Sequence, residues 1–278
     1  MVFAGGGLAG IAWETGVLRG IQQREPAAYE RIVDATTTFV GTSAGSAVAA
    51  QVAGGTAVDT LFDAQLSDDT AEIAVEIDVT EFMALMASAL GGATSPEESR
   101  RGLGAMAMNA RTVTPAERLA AIDARLPVKA WPAQHLFITA VDAESGELRV
   151  FNRDSGVDLV HAVAASCAVP GVWPTVEIEG HNYMDGGMRS IANADLAAGA
   201  DPILILVPGL ADGPSGAVMP QSELDALAPA RIHVVYADAE SIAAFGSNPL
   251  DPAVRRPAAL AGFALGQQVA AEVAAFWG

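Results

Sequence analysis

A serine with glycine two residues before and two residues after it, Gly41-Thr42-Ser43-Ala44-Gly45, follows the apolar pair Phe39-Val40 and precedes the small-residue stretch Ser46-Ala47-Val48-Ala49-Ala50. A serine at a sharp strand-to-helix turn needs both glycines, because a larger side chain would strike the crossing backbone. The pattern therefore suits a nucleophile elbow. The helix that follows, stopped by Gly54-Gly55, would hold the Ser43 hydroxyl at a helix N-terminus, where negative charge is favoured. The same residues also fit an ordinary β-to-α turn.

Acyl transfer through serine needs a nucleophile, a base and donors for the oxyanion. Gly5-Gly6-Gly7 offers unshielded amides directly after the apolar run Val2-Phe3-Ala4. Four histidines could serve as base, His135, His161, His181 and His233, but none sits in a glycine-flanked loop at a strand end. Asp185 does, in Asp185-Gly186-Gly187. A carboxylate can take the serine proton if burial raises its proton affinity, so Asp185 is assigned as base in a Ser-Asp dyad. Taken alone, the Asp-Gly-Gly stretch reads equally well as a turn whose side chain caps backbone amides.

The elements that must position these groups follow in order. Val2-Phe3-Ala4 predicts a buried strand, and Leu8, Ile11, Val17, Leu18 and Ile21 predict a helix ending before Pro26. Thr36 to Val40 predicts the strand that delivers Ser43. This alternation opens a parallel sheet with crossover helices, whose strand ends form a ligand crevice where the glycine loop and Ser43 should converge. Asp59 to Lys129 is expected to be mostly helical, with acidic residues at Asp68, Asp69, Glu72, Glu76, Asp78 and Glu81. Within it, Phe82, Leu85, Met86 and Leu90 fall at helical spacing, and Met106 and Met108 follow. This insertion, about 59–129, reads either as a lid admitting acyl chains or as helix packed on the core. His135 to Val141 and Leu148 to Phe151 predict a hairpin, His161 to Val169 a helix, and Val176 to Ile178 with Tyr183-Met184 a second hairpin emptying into Asp185. Ile203 to Val207 and Ile232 to Tyr236 have the continuous apolar character of parallel strands covered on both faces. An apolar helix from Ala258 to Trp277 is expected to pack on the sheet.

The chain has 278 residues, 51% of them hydrophobic, and lacks a linker, a repeat or a low-complexity tract, which predicts one domain over 1–278. One cysteine, Cys167, excludes an internal disulfide and fits a reducing compartment. With 33 acidic against 15 basic residues the net charge is −18, so nucleic acid and anionic membranes are repelled at long range. The N-terminus has no basic region or long apolar run, and no later stretch reaches about 18 uninterrupted apolar residues, so neither a signal peptide nor a membrane span is expected. The expected location is cytoplasmic.

Together, Gly5-Gly6-Gly7-Leu8-Ala9-Gly10, Gly41-Thr42-Ser43-Ala44-Gly45 and Asp185-Gly186-Gly187 resemble, in that order, the motifs of the patatin-like phospholipases. Ala165 to Pro170 and Asn193-Ala194-Asp195 are also similar to segments of that family, so the resemblance runs from Gly5 to about Val207. It implies a three-layer α/β/α fold around a mainly parallel sheet, and hydrolysis of lipid acyl esters without metal or cofactor. Ser43 would be the nucleophile, Asp185 the proton acceptor and Gly5 to Gly7 the oxyanion hole. Ala9 stands where that family commonly has Arg or Lys, so the glycine loop brings no cation for an anionic head group. The implied partner is a lipid or acyl ester, with transient membrane-surface contact as a candidate and no nucleic acid.

Two rival readings make different demands. An α/β-hydrolase triad would use Ser43, Asp185 or Asp201, and His233, although residue 43 is early for that fold. A dinucleotide-binding module would use Gly5, Gly7 and Gly10 as G-x-G-x-x-G, but the acid expected after the second strand is missing, since that strand ends in Val40-Gly41-Thr42.

Overall fold

The computed structural model describes residues 1–75, 84, 86–88, 91–212 and 219–278. Of the insertion's apolar pattern, Phe82, Leu85 and Leu90 lie outside the described residues, as do Glu76, Asp78 and Glu81.

Eight strands form one sheet: β1 (Val2–Phe3), β2 (Thr38–Thr42), β3 (His135–Asp142), β4 (Leu148–Phe151), β5 (Val176–Ile178), β6 (His181–Asp185), β7 (Ile203–Val207) and β8 (Ile232–Tyr236). Pairing runs β5-β6-β3-β2-β1-β7-β8, with β4 also on β3. The neighbours from β3 to β8 are parallel, and β4, β5 and β6 pair antiparallel.

Alternation along the strands separates two apolar layers. Phe3, Phe39, Leu204 and Leu206 point to one, and Val2, Val40, Ile203, Ile205 and Val207 to the other. The first layer is closed by α1 (Gly7–Arg24) and α3 (Ala44–Ala53), both almost wholly buried. The second is closed by Ala192, Ala194, Ala197, Met219 and Leu227 from short turns and loops. The result is a mostly parallel α/β sheet flanked by helices, as expected.

Register places the two halves of the candidate site. β2 runs along β3 from Thr38 opposite His135 to Thr42 opposite Thr139. β6 takes over at the next residue, with Asp185 opposite Ala140 and Tyr183 opposite Asp142. β4 covers Ile138 to Val141, so β2 and β6 must share the other edge of β3, end to end. Both strands run toward the junction, and both chains must turn out of the sheet there.

The insertion is less regular than expected. A helix α2 (Pro26–Ala35), absent from the sequence reading, precedes β2, its first turn set by Pro26. Beyond α3, the described regular elements up to residue 129 are α4 (Val58–Leu66), α5 (Pro96–Asn109) and α6 (Pro115–Arg125), the last closed by a Thr114–Glu117 capping box. Residues 67–75 have no regular structure. The further helices are α7 (Leu159–Ser166), α8 (Gln221–Asp225), α9 (Ala239–Phe245) and α10 (Arg255–Trp277).

The C-terminal helix corrects one expectation. By length and composition alone, Pro252–Trp277 is apolar enough to cross a membrane, which the search for an uninterrupted run missed. In the fold α10 lies chiefly on α1, not on the sheet. Its backbone touches that of α1 because glycines face each other: a Cβ on Gly16 would lie 2.2 Å from the Ala259 carbonyl oxygen, and one on Gly262 2.2 Å from that of Trp13.

Candidate active site

Ser43 follows β2 directly, with φ 53° and ψ −120°. A positive φ at a non-glycine residue stores backbone strain that the surroundings must hold. They do so through backbone contacts. A Cβ on Gly41 would sit 2.5 Å from Ser46 Cα, and one on Gly45 2.1 Å from the Phe3 carbonyl oxygen, so the elbow closes only with glycine at both positions. The Ser43 amide donates to Ser166 Oγ at 2.8 Å, and the Ser43 carbonyl accepts from Ser46 Oγ at 2.6 Å and Cys167 Sγ at 3.1 Å. The Ser166-Cys167 pair therefore has a definite role that sequence reasoning had noted only by resemblance.

Asp185 ends β6 and is 2% exposed. Its Oδ1 accepts from the Gly187 amide at 2.7 Å, so the turn-capping reading holds for one oxygen. The other, Oδ2, is buried with no hydrogen-bond partner among the described residues. Burial pushes the Asp185 pKa up from the usual carboxylate range to about 6; the nearby Ser43 hydroxyl, the Gly187 amide and the Arg118 charge pull it the other way. The Ser43 hydroxyl is thus close enough to favour the carboxylate, although it forms no ideally directed bond to Oδ2.

Asn193 locks the junction beneath the pair. Fully buried and left-handed (φ 48°), it directs Nδ2 to Thr42 Oγ1 at 3.0 Å, Thr139 Oγ1 at 3.3 Å, the Gly186 carbonyl at 3.3 Å and the Ser190 carbonyl at 2.8 Å. Arg189 in turn bridges Asn193 Oδ1 at 2.8 Å and the Asp195 carboxylate at 2.7 and 2.9 Å. The β2 end, β3 and the Asp-Gly turn are therefore fastened to one amide.

The glycine loop needs one correction as an oxyanion hole. The Gly5 amide donates to the Ile191 carbonyl at 2.8 Å and is not free. Its lack of a side chain matters instead, since a Cβ there would meet Ser43 Cβ at 3.4 Å. The Gly6 and Gly7 amides have no acceptor among the described residues and stand at the N-terminus of α1. Gly10 packs behind them, against Ala44 and Pro208.

Gly5, Gly6, Gly7, Ser43 and Asp185 line one cavity of about 640 Å³. Its other walls are mainly apolar: Val169, Val172, Met188, Ile191, Pro208, and the stretch from Ile242 to Leu250. Sequence reasoning missed that last wall, because α9 and its following loop carry no motif. The insertion reaches Ser43 instead at a second, narrow recess, through Arg118 and Arg125.

The four histidines lie elsewhere. His181 pairs with Asp142 at 3.0 Å, His233 on the outer strand β8 has its Nδ1 3.9 Å from Glu272 on α10, and neither these nor His135 and His161 line the cavity. Asp201 accepts from the Arg231 amide at 2.8 Å. The triad reading therefore loses its base. The dinucleotide reading loses a donor: the Ala9 amide, in the first turn of α1, is already given to the Pro249 carbonyl at 3.0 Å.

Among solved structures, VipD from Legionella pneumophila aligns at 12% identity and a TM-score of 0.46, covering 97% of this chain and 66% of that one. The type III effector protein ExoU aligns at 18% identity and a TM-score of 0.40, covering 96% of this chain and 52% of that one. The chain thus spans about half to two thirds of the length of these structures. No curated protein matches it. The model of the patatin-like phospholipases matches residues 1–198, a span that contains Gly5 to Gly10, the Ser43 elbow, Asp185 and Asn193, and the chain belongs to that family.

Proposed function

We propose that the protein is a serine acyl hydrolase that cleaves carboxylic esters of lipids through a Ser43-Asp185 dyad. The observation that carries this reading is the meeting of β2 and β6 on one edge of β3, with Ser43 and Asp185 leaving the sheet from adjacent register positions into one cavity. Asp185 Oδ2, which has no hydrogen-bond partner among the described residues, takes the Ser43 proton as Oγ attacks the ester carbonyl. The Gly6 and Gly7 amides, at the positive end of α1, receive the oxyanion. Collapse of this intermediate expels the alcohol, which takes up the proton from Asp185, and leaves an acyl-serine. A water that gives its proton to Asp185 then attacks the acyl-serine and releases the fatty acid. A pKa near 6 leaves the carboxylate ionised at neutral pH and still basic enough to share a proton. The apolar walls of the cavity suit an acyl chain.

The test is covalent trapping. A fluorophosphonate ester should label the protein once, at Ser43, and abolish hydrolysis of a chromogenic acyl ester; Ser43→Ala should neither label nor turn over. Labelling elsewhere, or normal turnover by Ser43→Ala, removes the assignment.

A further inference from the structure

A second space touches Ser43, and Asp185 and its turn are not among the residues that line it. This recess, about 20 Å³, is bounded by Gly7, Ser43, Arg118, Arg125, Cys167 and Trp173, among others. It shares Gly7, Ser43, Val169 and Leu250 with the large cavity, so the two spaces meet at the nucleophile. At that volume it accepts a single oxygen-sized atom.

Two guanidinium groups face it, and they differ. Arg125 is neutralised by Glu72 in a two-pronged ion pair at 2.9 and 2.7 Å. Arg118, only 5% exposed, has no carboxylate or hydrogen-bond partner among the described residues, and its Nε is buried without any. The group lies 3.7 Å over the Trp173 ring, which steers its plane and supplies a cation–π contact but accepts no hydrogen bond. Burial and the neighbouring Arg125 lower its pKa to about 10, so it remains a cation at neutral pH. Glu72 and Asp185 offset this charge only through space, and a buried guanidinium whose Nε meets no acceptor is costly unless something else supplies one.

We propose that Arg118 makes this recess a subsite for one anionic oxygen of the substrate, carried on the alcohol side of the scissile ester, and so selects esters with a phosphate or carboxylate near the reacting carbonyl. This rests on the hydrolase reading above. The acyl chain occupies the apolar cavity, Ser43 stands at the junction, and the charged group enters the recess by its tip. A cation absent from the glycine loop is thereby supplied by α6, about a hundred residues along the chain.

The experiment compares matched substrates of one acyl length: an acylglycerol phosphate against the monoacylglycerol, and the acyl ester of 4-hydroxybenzoate against that of 4-hydroxybenzamide. The wild-type protein should prefer the charged member of at least one pair by about 10- to 100-fold in kcat/KM, and the pair that responds identifies phosphate or carboxylate. Arg118→Gln should erase that preference mainly through KM, and Arg118→Lys should restore part of it. Ser43-dependent hydrolysis with no charge preference in either pair overturns the subsite alone. So does an Arg118→Gln variant whose charged-to-neutral ratio is unchanged. Absence of any Ser43-dependent hydrolysis overturns both readings.

Discussion

The Thr42 and Thr139 hydroxyls meet at 2.9 Å where β2 gives way to β6 along the edge of β3, and Asn193 Nδ2 reaches both. The separation of Ser43 from Asp185 is thus governed by a buried polar knot. Replacing Asn193 with Ala withdraws the two N–H donors that the knot shares and leaves the Ser190 carbonyl without its 2.8 Å partner. We expect a loss of about 2 kcal/mol in urea unfolding together with a lower kcat at a little-changed KM. An Asn193→Ala variant with wild-type stability and turnover would show that the knot is idle.

With Asp185 as the proposed base, its raised pKa predicts a pH limit on activity. In the proposed mechanism hydrolysis needs the carboxylate, so kcat/KM should fall about tenfold per pH unit below about 6. A profile flat from pH 4.5 to 8 would exclude Asp185 as the base.

The same shift has the opposite sign for stability. A carboxyl whose folded pKa lies above its unfolded value stabilises the fold most at low pH, and that contribution is lost as pH rises through the folded value of about 6. Asp185→Asn removes the charge. It should therefore be inactive yet more stable than wild type at pH 8, by up to about 3 kcal/mol, with the difference shrinking toward pH 4. Thermal unfolding at the two pH values reads this directly.

Strain at Ser43 can be released without changing the elbow's neighbours. Ser43→Gly removes the side chain that disfavours φ 53°, whereas Ser43→Ala keeps the strain. Both should be inactive, and the glycine variant should be more stable than the alanine one by about 1 kcal/mol. Equal unfolding midpoints would mean that the elbow is relaxed.

On α10, Gly262→Ala drives a Cβ to within 2.2 Å of the Trp13 carbonyl oxygen, and should cost about 1–3 kcal/mol. Leu260→Gln, at a residue 47% exposed, should change stability by less than about 0.5 kcal/mol. Similar effects at both positions would mean that α10 does not rest on α1 as described.

Much of the candidate site's geometry was legible because it depends on backbone paths that only certain residues permit. Gly41 and Gly45 could be read as close-approach positions, and Asp185 as a strand-end acid, before any contact was known. The Gly5 amide could not: whether it is free depends on Ile191, far along the chain. Pairing partners decided two more points. Arg118 and Arg125 look alike in sequence, and only the position of Glu72 separates the paired cation from the one with no ion-pair partner among the described residues. The resting place of α10 was missed because its glycines matter only against those of α1. The cavity wall from Ile242 to Leu250 was invisible since apolar lining carries no spacing signature.

That wall lies beyond residue 198, where the family match ends. Under the proposed mechanism, bond cleavage falls to one length of polypeptide and accommodation of the fatty tail largely to another. Exchanging residues 242–250 should therefore retune preference for chain length while the proton-transfer apparatus is left in place, which makes the C-terminal portion the natural place to engineer selectivity.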